Sequence, residues 1–363
     1  MPEPLHTESA RPTTARPGRK LSSKLTTALK RQQDGLPQIS HRLTVGAYLT
    51  TWIEGVPSSV RPTTYRGYEN VVRKHLIPRI GKITLARLAP SDLSAMYAGM
   101  LTDGLAPRTA GHAHRILGRA LREAEAAGTI VRNVCRLVRP PRAPHAEMQT
   151  LTAEQARSLI RTSLGDRYHA LYALALDSGA RQGELLALRW SDLDLTAGSI
   201  RITRALVRGV RLGTRSPLGV PQSQWVFSEP KTSSSRRTIP IGKTTLEALR
   251  SHRKLQMEDR LRAGTAWHDG NLIFASTIGT PLNASNLRIV YRAQLKAAGL
   301  PMIRFHDLRH TAATLLLEAG VHPRAVADRL GHATPSLVMN TYGHVTERMQ
   351  HQATAAMDAV LSG

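Results

Sequence analysis

Apolar positions recur at helical spacing through the first third of the chain and again through its last third, with a stretch of strict alternation between them. Residues 41–135 read as helical throughout. Thr44 stands where an N-cap belongs, ahead of a helix carrying Tyr48, Leu49 and Trp52. Thr63 or Thr64 opens a second helix, with Tyr65, Tyr68, Val72 and Leu76 in step before Pro78. Pro90 and Ser91 open a third, through Leu93, Met96, Tyr97 and Leu101, that ends near Gly104. A fourth runs over about 107–128. Further on, Thr152 and Gln155 form a capping box, and helical patterns cover 153–163 and 167–178. The period then changes. Residues 199–207 alternate, and 225–227 and 237–241 read as short strands, with a Gly/Pro-rich loop expected over 208–224. Helices resume at Thr244 and are expected to continue to the C-terminus. The pattern predicts a mainly α chain with one small antiparallel β-sheet, an α+β fold.

A length of 363 residues suggests two domains. Residues 1–40 are rich in Pro, Thr, Ser, Lys and Arg and read as a basic flexible arm, with a candidate helix over 21–32. Residues 41–135 form a helical domain. Residues 136–149 hold three prolines and three arginines, the composition of an extended linker that follows a charged surface rather than entering a core. The second domain covers 150–363. No internal repeat is visible.

Charge narrows the partners. The formal net charge is +24, from 50 basic and 26 acidic residues, and an excess of that size calls for a polyanion. The basic residues are spread along the chain rather than gathered in one amphipathic helix. That favours double-stranded DNA over a membrane surface. On the polar faces of the first domain, Arg61, Arg66, Arg73, Lys74, Arg115, Arg119 and Arg122 are candidate phosphate contacts, and a plain solvated face is the competing reading. A single cysteine, Cys135, excludes an intramolecular disulfide and a Cys-rich zinc site and points to the cytoplasm. There is no apolar run of bilayer length and no secretory signal.

Four segments of the second domain carry candidate chemistry. In SGARQGELLALRW (178–190), Gly179 ends one helix, and Arg181 starts the next beside Glu184. In EPKTSSSRRTIPI (229–241), two strands flank a polar turn, which places Lys231 at a hairpin tip. In RFHDLRHTAATLLLEAG (304–320), His306, Arg309 and His310 share one face at a helix N-terminus. Cations there oppose the macrodipole, an arrangement that suits a bound anion. A metal reading of His306 and His310 lacks the intervening Glu and would face the charge of Arg309, so no metal is expected. In LGHATPSLVMNTYGHV (330–345), His332 follows a glycine stop, and Tyr342 comes just after a short helix. Each segment alone has a bland explanation: a surface Arg, a solvated hairpin, a packing Tyr.

Together and in this order, the four segments resemble the tyrosine recombinases, the phage-integrase family of site-specific recombinases. The family's motifs fall on Arg181 within Gly179–Glu184, on Lys231, on His306 with Arg309, on His332 within Leu330–Gly331–His332, and on Tyr342. The resemblance spans about residues 41–350. It implies a helical, SAM-like core-binding domain and a catalytic domain that close as a C-shaped clamp on DNA. It implies a Tyr342 nucleophile, a 3′-phosphotyrosine intermediate, Arg181 and Arg309 on the phosphate oxygens, and His332 as a further donor. His306 is then the candidate base and Lys231 the candidate acid, and no cofactor is needed. His310 either supports the pocket or faces water.

The family works as a homotetramer on two DNA sites. The apolar positions Met349, Ala353, Met357, Val360 and Leu361 give a C-terminal segment that docks on a neighbour or on its own domain. An excisionase or DNA-bending accessory protein is a further candidate partner, and the workplace is the nucleoid. Integration and excision of a phage or other mobile element is the leading role. A dimer-resolving or inverting recombinase, a relaxing enzyme of the type IB topoisomerase kind and a non-catalytic DNA-binding regulator are the alternatives. Residues 1–40 show no strand pattern of the arm-reading domain that many members carry.

Overall fold

The computed structural model describes residues 42–144, 148–215, 221–228, 236–331, 354–355 and 357–362. The chain divides into two compact units, residues 1–145 and 146–363.

The first unit is built from α1 (Val45–Gly55), α2 (Pro62–Val71), α3 (Ile77–Ile80), α4 (Pro90–Thr102) and α5 (Pro107–Ala126). Thr44 caps α1, its hydroxyl accepting from the Ala47 amide at 3.2 Å. The start of α2 differs from the expectation. Pro62 takes the first helical turn and Arg61 the extended N-cap position, so Thr63 and Thr64 lie inside the helix. Proline suits that turn because its missing N–H would have no helical partner. Nor does the helix stop before Pro78. A π-turn at Val72–Leu76 resets the hydrogen bonding, so that Pro78 falls in the first turn of α3, where no amide is required.

On α5, Ala110, Ala113, Ile116, Leu117, Ala120, Leu121 and Ala124 form one buried stripe. They share a core with Leu49, Ile53, Leu76 and Leu93. The expected linker touches a core near each of its ends. Just before it Cys135 is buried, near its start Val138 packs against this core, and near its end Met148 packs within the second unit. Apolar residues at either end of a Pro/Arg stretch are drawn into the nearest core, which the Pro and Arg content alone did not reveal.

The second unit contains α6 (Ala153–Thr162), α7 (His169–Ser178), α8 (Gln182–Leu185), β1 (Leu193–Asp194), β2 (Ser199–Ile202), β3 (Ala205–Arg215), β4 (Pro221–Ser228), β5 (Arg237–Pro240), α9 (Lys243–Ala263), α10 (Ala284–Ala297), α11 (Asp307–Glu318) and α12 (Pro323–Leu330). The Thr152–Gln155 capping box forms, with bonds of 3.2 and 3.0 Å. α7 is the central helix. It is apolar almost all round and packs against α6, α9 and α11.

The small antiparallel β component is present, and among the described residues it forms two sheets rather than one: β1–β2–β5, and the pair β3–β4. β2 ends at Ile202, Arg204 turns its guanidinium to Asp192 at 3.0 Å, and the chain continues into β3, which pairs with β4. Most of the expected loop at 208–224 is therefore strand, with Gly209 opposite Gln224 and Val210 opposite Ser223. Backbone pairing satisfies a ladder whatever its composition, and Pro221 is tolerated as the first residue of a strand. The helical run from Thr244 is also interrupted. Residues 267–283 form an irregular segment with bridges at Arg189–Leu272 and Ala275–Pro281. Buried side chains of α9 hold it: Gln256 Nε2 donates to Leu272 O and Ile273 O, and His252 Nε2 to Ile273 O. Among the described residues, no helix is long and apolar enough to cross a membrane.

Candidate active site

The turn after α7 sets the first part of the site. Gly179 is the C-cap of α7, with φ +59°. A Cβ there would lie 2.4 Å from Leu330 Cδ2, so both the backbone and the space call for glycine. The chain then extends through Arg181, the N-cap of α8. Glu184, buried one turn on, accepts from the Arg181 amide at 2.9 Å and from Arg181 Nη1 at 2.8 Å. Arg181 is thereby held at both ends of the residue while its side chain stays 40% exposed.

The second part is the start of α11. Phe305 anchors it in an aromatic cluster, with ring centroids 6.4 Å from Tyr172 and 5.4 Å from Tyr291. His306 is the N-cap, and Arg309 lies one turn in, buried. Arg309 Nη1 donates to Gly179 O and Nη2 to Leu330 O, each at 2.8 Å. Those carbonyls belong to the C-terminal ends of α7 and α12, where backbone acceptors are orphaned and the macrodipole is negative. One guanidinium thus joins the turn before Arg181 to the turn before His332. It is a structural tie as well as a candidate phosphate ligand.

The His306 and His310 rings meet edge to face at 5.4 Å. Burial lowers the pKa of both. For His306, the neighbouring charges of His310 and Arg309 add to the lowering, and the negative charge of Asp307 opposes it. Neutral imidazole, the proton-accepting form, is therefore favoured. Sequence reasoning passed over Asp307. It sits in the first turn of α11 and takes a bidentate grip from Arg304, with Nη2 to Oδ1 at 2.7 Å, and a further bond from the Arg304 amide at 2.7 Å. The protein thus supplies its own anion at this helix N-terminus, so the charge pattern alone demands an external one less than it first suggested.

Two more arginines were missed. Arg237, on β5, donates Nη2 to Glu184 Oε2 at 2.9 Å and Nε to Arg329 O at 2.7 Å. Its sequence signal was present: in a strand it shares a face with buried Ile239. Burial would raise the Glu184 carboxyl, but the bond and charge of Arg237, joined by Arg181, carry it below the usual range. Arg329 ties α12 to the end of α7, through Asp177 O at 2.9 Å and Asp177 Oδ1 at 2.7 Å.

Lys231, His332 and Tyr342 lie outside the described residues, as do Met349 and Ala353. The expectation that Lys231 tips a hairpin is corrected in one respect. Among the described residues, the flanking strands β4 and β5 belong to different sheets, pairing with β3 and β2 rather than with each other. Two separate short strands around a polar turn look alike in sequence whether or not they pair. Near the C-terminus, residues 354–355 and 357–362 are helical, and Met357, Val360 and Leu361 are exposed.

In the first unit, Arg61, Arg73, Lys74, Arg115 and Arg122 are exposed, and Arg66 and Arg119 are half-buried. Arg73 pairs with Glu69 at 3.1 Å. Arg119 pairs with Glu123 at 3.0 Å and lies 5.6 Å from the centre of the Tyr68 ring. These two have structural partners of their own.

The fold and this arginine-rich cluster define a two-unit, mainly helical chain with the site in its C-terminal unit. Residues 146–349 match the phage integrase family, and residues 44–101 match its N-terminal SAM-like domain. An integrase of Saccharopolyspora erythraea is 32% identical, with the match covering 88% of this chain and 83% of that protein. A XerC-like tyrosine recombinase of Caldanaerobacter subterraneus subsp. tengcongensis is 28% identical, over 90% of this chain and 85% of that one. Among solved structures, the Tn1549 transposon integrase in complex with transposon right-end DNA superposes with a TM-score of 0.69 at 24% identity. That match covers 88% of this chain and all of that one. The lambda integrase tetramer bound to a Holliday junction gives a TM-score of 0.60 at 19% identity, over 89% and 86%. The chain belongs to the phage integrase family of tyrosine recombinases, enzymes that break and rejoin DNA in site-specific recombination.

Proposed function

We propose that this recombinase cleaves DNA through Tyr342, whose hydroxyl attacks a backbone phosphate to form a 3′-phosphotyrosine and release a 5′-hydroxyl. A 5′-hydroxyl of another strand then reverses the step. One phosphodiester replaces another, so no external energy source is required. Arg181 and Arg309 hold the phosphate oxygens, where a guanidinium gives permanent charge and two donors. His306 takes the tyrosine proton, Lys231 supplies one to the leaving oxygen, and His332 adds a donor. The observation that carries this reading is the bridge made by Arg309, from Gly179 O to Leu330 O, which draws two motif segments to a third.

The biological role we assign is integration and excision of a mobile element, on chromosomal DNA in the cytoplasm. Relatives that are integrases, among them those of Saccharopolyspora erythraea and of Mycobacterium phage L5, favour it over dimer resolution or inversion. The working form is a homotetramer on two double-stranded DNA sites. The exposed Met357, Val360 and Leu361 favour a C-terminal segment docked on a neighbour.

The test is covalent trapping on a nicked duplex selected from a random-sequence pool by the wild-type protein. Tyr342→Phe should bind that duplex and form no adduct, with EDTA leaving the wild-type yield unchanged. An adduct in Tyr342→Phe, mapped to another residue, would overturn the assignment.

A further inference from the structure

We propose that Arg237 is a positioning residue of the active site: it locks the carboxylate that holds Arg181 to the end of the helix that leads into His332. The inference rests on the proposed roles of Arg181 and His332.

Arg237 is half-buried as a residue, with its side chain 8% exposed, and its bonds run in two directions. On one side is Glu184 Oε2, the oxygen that also accepts the Arg181 amide. On the other is Arg329 O, in the last turn of α12. Gly331, with φ +69°, lies against the same guanidinium, and a Cβ there would fall 2.9 Å from Arg237 Nη1. Arg309 holds the next carbonyl, Leu330 O. Two arginines from different elements therefore grip consecutive carbonyls just before His332. Arg237 itself stands six positions after Lys231, at the root of β5.

A stabilising ion pair is the simpler account, but it explains little. Buried ion pairs add little net stability over apolar packing of the same volume. The choice of partners is what stands out. One planar fork, itself in segment 229–241, joins the segment of Arg181 to the residue just before the segment of His332. Lysine has the charge but offers a single ammonium, which cannot reproduce the guanidinium's fork. Its substitution separates charge from positioning.

The experiment uses the full chain and the same nicked duplex. Arg237→Lys should melt and bind DNA as the wild type does. At saturating DNA its single-turnover trapping should fall on the order of a hundredfold, the loss expected from misplacing reacting groups by about 1 Å. Glu184→Gln should slow trapping as well, and the double variant no further than the worse single. Trapping by Arg237→Ala should recover partly with added guanidinium. Wild-type trapping rates in Arg237→Lys would overturn the proposal. So would melting, binding and trapping that decline in parallel, since that marks a merely structural role. Failure of the wild type to trap any duplex would instead defeat the phosphotyrosine reading beneath it.

Discussion

At the first turn of α11 two imidazoles share a small space, and their charges compete. Burial disfavours protonation of both, and a charged His310 further disfavours it on His306. Replacing His310 with Gln should therefore raise the His306 pKa toward the ordinary 6.5, read from its C2 proton by NMR. An unmoved titration would mean that the rings do not sense each other. The sign carries over to stability. His252, His306 and His310 all have folded-state pKa values below the unfolded value, so the unfolded chain binds more protons. Their contribution is present above about pH 6.5 and is lost as pH falls through the folded-state values. The residue types at the site were legible from the motifs. The partners were not: that Arg309 faces two helix ends, or that Arg237 answers Glu184, depends on side-chain direction across more than fifty residues of chain.

Among the elements, those with local causes were read correctly from sequence. Thr44 and the Thr152–Gln155 pair sit within three residues of the amides they satisfy. Elements whose cause is remote were misread. The alternation over 199–207 looks continuous, yet its two halves pair with different strands. The helix through Pro78 survives because a π-turn shifts the register before it, a choice made by packing against the core. Gly179 shows both levels at once. As a C-cap it was visible in sequence, but its neighbour Leu330, about 150 positions away, was not. Gly179→Ala should cost about 1–3 kcal/mol in a denaturant titration from the left-handed backbone alone, with the Leu330 contact adding to it. A neutral result would mean that the turn relaxes freely, and the tie to α12 would then be loose.

For the whole molecule, the excess of positive charge sets the conditions of binding. With a net +24, association with duplex DNA should follow counterion release. Affinity should fall roughly a thousandfold or more between about 50 and 200 mM salt if six or more phosphates are neutralised. A flat titration would assign the charge to something other than phosphate contact. Arg73 and Arg119 should contribute least to the slope, because each already has a carboxylate partner.

By itself the sequence determined the helical class and pointed to two cores and a polyanion partner. Those follow from periodicity, length and composition, which are properties of the chain before it folds; the motif residues and their order came from the family resemblance. Only the tertiary structure decided how many sheets form, where Pro78 falls in its helix, and which arginines serve the fold as well as the site. Those outcomes depend on which distant carbonyl or carboxylate arrives beside a given donor. A buried guanidinium must find such partners, and in the folded chain Arg309 and Arg237 find theirs at the turns flanking the proposed phosphate ligands.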